Sequence, residues 1–243
     1  MRFKDVFSII GPSMIGPSSS HTAGAVRLGR TARQVLGVAP FEANIHLYGS
    51  FADTYKGHGT DLALVAGLLD FDTDDVRIRD AIQSADSADV KVRFYPERLP
   101  VAHPNTVSIV LSRETEGVRV TGRSIGGGNI EIIGVDRFDV KFTANYPTLL
   151  IFHGDRAGMI AEVTDVLMRA GVNISHMEVD RESRNGDALT VIECDQRVPL
   201  KELDRISTLP DVAKVRVIDL SGTLSTVGVE ANCETCPGGE GRR

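Results

Sequence analysis

Gly16-Pro17-Ser18-Ser19-Ser20-His21-Thr22-Ala23-Gly24 sets hydroxyls and one imidazole directly ahead of a segment with helical periodicity. In that segment, Ala23 to Leu36, the residues Ala25, Leu28, Ala32, Val35 and Leu36 fall on one face, the spacing of an amphipathic helix. Ser20 or Thr22 can cap it, because a side-chain oxygen takes an otherwise unpaired first-turn N–H. Pro17 sets the approach of the chain, and Gly37 can close the far end in a left-handed conformation. A helix start offers free N–H groups and partial positive charge, which suit a carboxylate or phosphate. His21 adds a group that exchanges protons near neutral pH. An ordinary serine-rich cap would look the same.

Tyr55-Lys56-Gly57-His58-Gly59-Thr60-Asp61 repeats the arrangement ahead of a second apolar helix carrying Leu62, Val65, Ala66 and Leu69. Thr60 is the expected cap, and the flanking glycines permit backbone conformations closed to other residues. Two histidines at two helix starts predict a shared pocket. A third stretch, Ser124-Ile125-Gly126-Gly127-Gly128, lies between two strands. One or two glycines satisfy a hairpin turn, so three leave room for a backbone that approaches a ligand or a partner chain.

The three stretches, in this order, resemble the beta chain of the iron–sulfur-dependent bacterial L-serine dehydratase. The likeness extends over almost the whole chain. It implies conversion of L-serine to pyruvate and ammonia by a two-chain enzyme. His21 and His58 are then catalytic, and Ser18, Ser19, Ser20, Thr22, Gly59, Thr60, Gly126, Gly127 and Gly128 bind substrate. A 4Fe-4S cluster supplies the Lewis acid, ligated mainly by a separate alpha chain, so no metal ligand is assigned here. The first domain is also similar to the allosteric substrate-binding (ASB) domain of some phosphoglycerate dehydrogenases. A purely regulatory serine-binding module is therefore the alternative, and a stand-alone metal hydrolase ranks last for want of a ligand cluster.

The length of 243 residues suits one large or two modest domains. A formal charge of -6 argues against nucleic acid, and no apolar run reaches the ~20 residues that span a bilayer. Met1 to Phe7 lacks the apolar stretch of a secretory signal. Three cysteines make no disulfide framework. A cytoplasmic protein is expected.

Phe3 to Ile10 reads as a short apolar strand or helix. Arg27, Arg30 and Arg33 form a stripe expected to be solvated, or else a docking surface for an acidic partner. Ala43 to Tyr48 reads as a strand with His46 outward. Asp74 to Ala85 reads as a helix with Val76, Arg79 and Ile82 in line. Period-two strands follow at Val90–Phe94, Thr106–Ser112, Val118–Arg123, Asn129–Val135 and Phe138–Phe142. His103 falls in a connecting loop, where a structural or a functional role is open.

After Asn145-Tyr146-Pro147 the order is strand, helix, strand, strand, helix, strand, with Asn185-Gly186 as a hairpin turn. This is a ferredoxin-like βαββαβ sandwich. His153 to Met159 and Gly171 to Ile174 resemble the ligand loop and second-strand start of ACT domains. Gly158 and Asn173 are the implied effector-binding residues, and dimerisation through this domain is possible. The expected class is α+β: an ASB-like domain over 1–144, an ACT domain over 145–221 and a flexible tail over 222–243. In the tail, Cys233 and Cys236 make half a zinc site, a redox pair or no defined site.

Overall fold

The computed structural model describes residues 13–221. The Phe3–Ile10 segment and the tail with Cys233 and Cys236 lie outside the described residues.

Two sheets organise the chain. The first has the order β2-β1-β3-β4-β5, made of β1 (Glu42–Tyr48), β2 (Lys91–Pro96), β3 (Thr106–Arg113), β4 (Glu116–Gly126) and β5 (Asn129–Val135). β2 runs parallel to β1, and the other neighbours are antiparallel. Alternation explains the faces: Ala43, Ile45 and Leu47 of β1 are buried, while Asn44, His46 and Tyr48 are half-buried. The buried set meets α1 (Gly24–Leu36) and α3 (Thr60–Leu68) in one core. Between β1 and α3 lies the short helix α2 (Ser50–Thr54).

α1 is the centre of the molecule, packed against α3, β3, β4, β5 and the strand Val212–Ile218. The expected apolar face is buried, and so is nearly all of the circumference, 11 of its 13 residues. The arginine stripe is accordingly not a solvated face: Arg30 is buried, and Arg27 and Arg33 are half-buried. Arg30 is 1% exposed and pairs with Asp70 at 3.0 Å and Asp72 at 3.3 Å. Arg27 donates to the Gly128 and Ala144 carbonyls and to Asn145 Oδ1. Arg33 donates to the Leu68 carbonyl. Each guanidinium caps backbone of a neighbouring element or pairs with a carboxylate, as a buried charge must.

α1 and α3 approach through glycine. A side-chain carbon on Gly29 would lie 2.3 Å from the Leu64 carbonyl oxygen, and one on Gly67 would lie 2.1 Å from that of Val26. The Asp74–Ala85 segment splits into a 3-10 turn, Val76–Asp80, and α4, Ala81–Ser87. Its buried side is Ile78, Ala81 and Ala85, whereas Val76 and Ile82 are exposed.

Phe138–Phe142 is not a strand. It returns along β5 through isolated bridges, Val135 to Phe138 and Ile132 to Phe142. Its other edge is satisfied by carboxylates: Asp180 accepts from Asp139 N, Glu178 from Lys141 N and Glu193 from Thr143 N.

Those carboxylates belong to the second sheet, order β7-β8-β6-β9, all antiparallel. Its strands are β6 (Thr148–Gly154), β7 (Ile174–Arg181), β8 (Asp187–Cys194) and β9 (Val212–Ile218). With α5 (Met159–Arg169) and α6 (Leu200–Ser207) they form the expected βαββαβ sandwich. Leu149, Ile151, Ile192 and Cys194 face these helices. Leu150, Leu189, Val191 and Ile218 face the other way, into the first core. Gln34 of α1 pairs through both amide atoms with the Asp219 backbone, N–H to Oε1 at 2.8 Å and Nε2 to carbonyl at 3.2 Å.

Candidate active site

One end of the first sheet gathers the chemistry-bearing stretches. β1 and β4 end there, and β3 and β5 begin there. The residues leading into α1 form a single π turn, Ser19–Ala23, continuous with it. Such wide turns recur at functional sites because they re-aim side chains. Its cap is Ser18, not Ser20 or Thr22: Ser18 Oγ accepts from His21 N at 3.2 Å. The wider turn advances the cap by two to four residues.

His21 lies over α2 and the loop before α3. Its Nε2 is 3.2 Å from Ser50 Oγ and its Nδ1 is 3.4 Å from Ser18 Oγ. Hydroxyls give and take protons, so either neutral tautomer is satisfied. The His21 ring meets Phe51 edge-on at 5.2 Å and the His58 ring at 4.9 Å between centroids. Burial, and then the nearby His58, hold the His21 pKa below its ordinary value. His58 itself is exposed. The structure thus brings the two predicted histidines together, with one open to solvent.

The other predicted hydroxyl residues lie on the same two stretches as the pair. Ser18, Ser19 and Ser20 are half-buried at the turn. Thr22 and Thr60 are buried, 2% and 0% exposed. Thr60 does not cap α3. That position is Gly59, left-handed at φ 66, and Thr60 begins the helix.

Gly126, Gly127 and Gly128 all have positive φ, 97, 61 and 77. Gly127 and Gly128 form the two-residue turn between Gly126 and Asn129, and Gly126 follows a register shift after Ser124. The backbone therefore uses all three glycines, and none is in excess. The hairpin remains beside the site: Ser124 N donates to the Asn105 carbonyl at 2.9 Å, and Arg27 holds Gly128.

His103 stands in the same corner, where Asn105 N donates to its Nδ1. Burial and then Arg123 lower its pKa, against an opposing pull from Glu131. His46, in contrast, pairs with Glu97 at 2.8 Å and stacks on Tyr95.

Gly158 and Asn173 do not meet within the chain. Gly158 is the left-handed cap of α5, at the end of the sheet where β6 finishes. Asn173 precedes β7 and donates to Asp195 Oδ2, beside the opposite end, where Ile174 pairs with Cys194.

Among the described residues no group of three or more His, Cys, Asp or Glu side chains is placed to hold a metal ion. Cys194 is buried in the second sheet, its thiol pushed up to about 11 by burial and then by Asp195. An iron–sulfur cluster draws on several thiolates, so the described residues do not fit it as ligands.

The second sheet and its helices match the model for the ACT domain over residues 147–211, which makes this an α+β protein that joins an ACT unit to a histidine-bearing α+β unit. The model described as serine dehydratase beta chain matches residues 3–132. This chain belongs to the serine dehydratase beta chain family. A Bacillus subtilis protein named probable L-serine dehydratase, beta chain, is 48% identical over 90% of this chain and 99% of its own. The L-serine dehydratase beta chain of Peptoniphilus asaccharolyticus is 36% identical over 81% of this chain and 88% of its own. The L-serine dehydratase TdcG of Escherichia coli is 31% identical over 73% of this chain but only 42% of its own.

Proposed function

We propose that this chain is the beta subunit of an L-serine dehydratase, forming pyruvate and ammonia in a site shared with an alpha subunit. The observation that carries the reading is the His21–His58 pair, 4.9 Å apart, at a helix start, with the Ser18 and Ser50 hydroxyls on His21 and His58 exposed. The E. coli relative supports the second chain, because most of its length lies beyond the part that matches ours.

Dehydration removes the Cα proton and the β-hydroxyl of serine. The aminoacrylate becomes an imine, which water hydrolyses to pyruvate and ammonia. His58, exposed and adjacent to the open side, takes the Cα proton. His21, with its pKa lowered by burial and by its neighbour, is the companion at the hydroxyl or carboxylate, and the hydroxyl departs with a proton as water. Ser18, Ser19, Ser20, Thr22, Gly59 and Thr60 hold the carboxylate, as hydroxyls and N–H groups at a helix start do. We place the 4Fe-4S cluster on the alpha chain, since the described residues here offer it no ligand set. We assign residues 1–144 and 145–221 to separate domains, in keeping with the two sheets, and we read the protein as cytoplasmic. Among the described residues no helix is long and apolar enough to cross a membrane.

The test is co-purification with the alpha chain and a pyruvate assay on L-serine. The reading expects turnover by the two chains together, none by this chain alone, and iron with acid-labile sulfide in the alpha chain. Full activity of this chain alone contradicts it.

A further inference from the structure

Arg27 sits on α1, six residues after His21, and its guanidinium joins two pieces of chain. Nη1 donates to the Gly128 carbonyl at 3.1 Å. Nη2 donates to the Ala144 carbonyl at 3.3 Å and to Asn145 Oδ1 at 2.7 Å. All three acceptors are uncharged oxygens, so these bonds do not serve to cancel a carboxylate. A planar fork with fixed N–H directions suits such a bridge, and a lysine ammonium does not reproduce it.

One side of the bridge is the glycine hairpin beside the site. Gly126, Gly127 and Gly128 all have left-handed φ, and glycine backbone ranges widely unless something holds it. The strand leading into the hairpin lies against the helix start: a side-chain carbon on Gly24 would stand 2.2 Å from Ser124 Oγ. Within the hairpin Asn129 Nδ2 donates to the Gly126 carbonyl at 3.3 Å, while Arg27 holds the Gly128 carbonyl from outside.

The other side is the approach to the second sheet. Ala144 is left-handed at φ 52 and 3% exposed, a conformation that a residue with a side chain keeps only where its surroundings impose it. Thr143 supplies part of that restraint. Its N and Oγ1 both donate to Glu193 Oε1 of β8 at 2.9 Å, and Asn145 N donates to Thr143 Oγ1 at 3.3 Å. A run of hydrogen bonds thus leads from the buried Glu193 of the ACT sheet through Thr143, Asn145 and Arg27 to the hairpin carbonyl.

We propose that Arg27 is a positioning residue for the reaction, fixing the hairpin at 126–128 beside the site by fastening it to the 143–145 segment that Glu193 holds. This rests on the dehydratase reading above and adds a residue to it. Arg27 acts through the backbone it holds, not on the reacting atoms, so the ACT unit helps to shape the site without lending it a side chain.

The test uses the two-chain complex, comparing wild type with Arg27→Met, Arg27→Lys, Asn145→Ala and the double variant Arg27→Met/Asn145→Ala. Arg27→Met keeps an unbranched stem and loses every bond. It raises KM for L-serine about tenfold, with kcat falling less than KM rises. Asn145→Ala changes an exposed side chain, so it raises KM about threefold and leaves the thermal midpoint nearly level. The double variant is no worse than Arg27→Met, because Asn145 acts through Arg27. Arg27→Lys stays impaired. A role in folding alone lowers the midpoint but leaves the KM of the folded complex at the wild-type value, and that result overturns the proposal. Additive losses in the double variant overturn it too, as does full rescue by lysine. Hydrogen exchange of the 126–128 amides reads the same joint without turnover: it speeds up in Arg27→Met, and a wild-type rate overturns the proposal. A complex in which Arg27→Met speeds that exchange but which never converts L-serine keeps the joint and sinks the dehydratase reading. Turnover with KM and exchange indifferent to Arg27 does the reverse.

Discussion

The His21 and His58 rings stand 4.9 Å apart at a tilt of 56°. They reach each other from different helix starts because Ser50 and Phe51 of α2 hold His21 from below. His58 is part of the electrostatic surroundings of His21 and adds to the effect of burial there.

That coupling has a defined pH consequence. His21 has a pKa below 6.5, first from burial and second from His58. Well above pH 6.5 it is neutral folded and unfolded, so it contributes nothing to the pH dependence there. As pH falls below 6.5 the unfolded chain takes up the proton first, and stability declines until the folded pKa is passed. Titration of the His21 Cε1–H signal by NMR should place its midpoint below 6.5. In His58→Gln the midpoint should move up yet stay below 6.5, because burial is the larger cause.

Arg30 tests the buried part of the arginine stripe. It is 1% exposed and bonded to Asp70. Arg30→Ala leaves a carboxylate without its partner and should cost about 3–5 kcal/mol in urea unfolding. A surface stripe would lose well under 1 kcal/mol.

Gly29→Ala and Gly67→Ala should each lower stability by about 1–3 kcal/mol by forcing α1 and α3 apart. The added carbon meets backbone, which cannot rotate away. A thermal midpoint equal to wild type would show that the helices do not touch at these glycines.

Cys194 should resist alkylation in the folded protein, with its thiol at about 11 and fully buried. Mass spectrometry of the Cys194 peptide should show modification only after denaturation.

Much of this was legible in the sequence. The strand–helix order after Pro147 led directly to the ferredoxin-like sandwich, because alternation and helical spacing are local signals. The two histidine loops were legible for the same reason: glycine and hydroxyl residues mark helix starts. Burial of Arg30 was not, since polarity alone points to solvent, and its partner Asp70 lies 40 residues along the chain. Phe138–Phe142 alternates like a strand, but carboxylates from β7 and β8 replace a ladder partner. The shift of the cap to Ser18 follows from a π turn, which no residue spacing announces.

The central claim is that two histidines of this chain act on one serine molecule. The most direct measurement is kcat of His21→Ala and His58→Ala, each assembled with the alpha chain and checked for intact complex. Removal of an acid–base group should lower kcat by about 10²–10⁴-fold in each variant. Near-normal turnover by both would contradict the account.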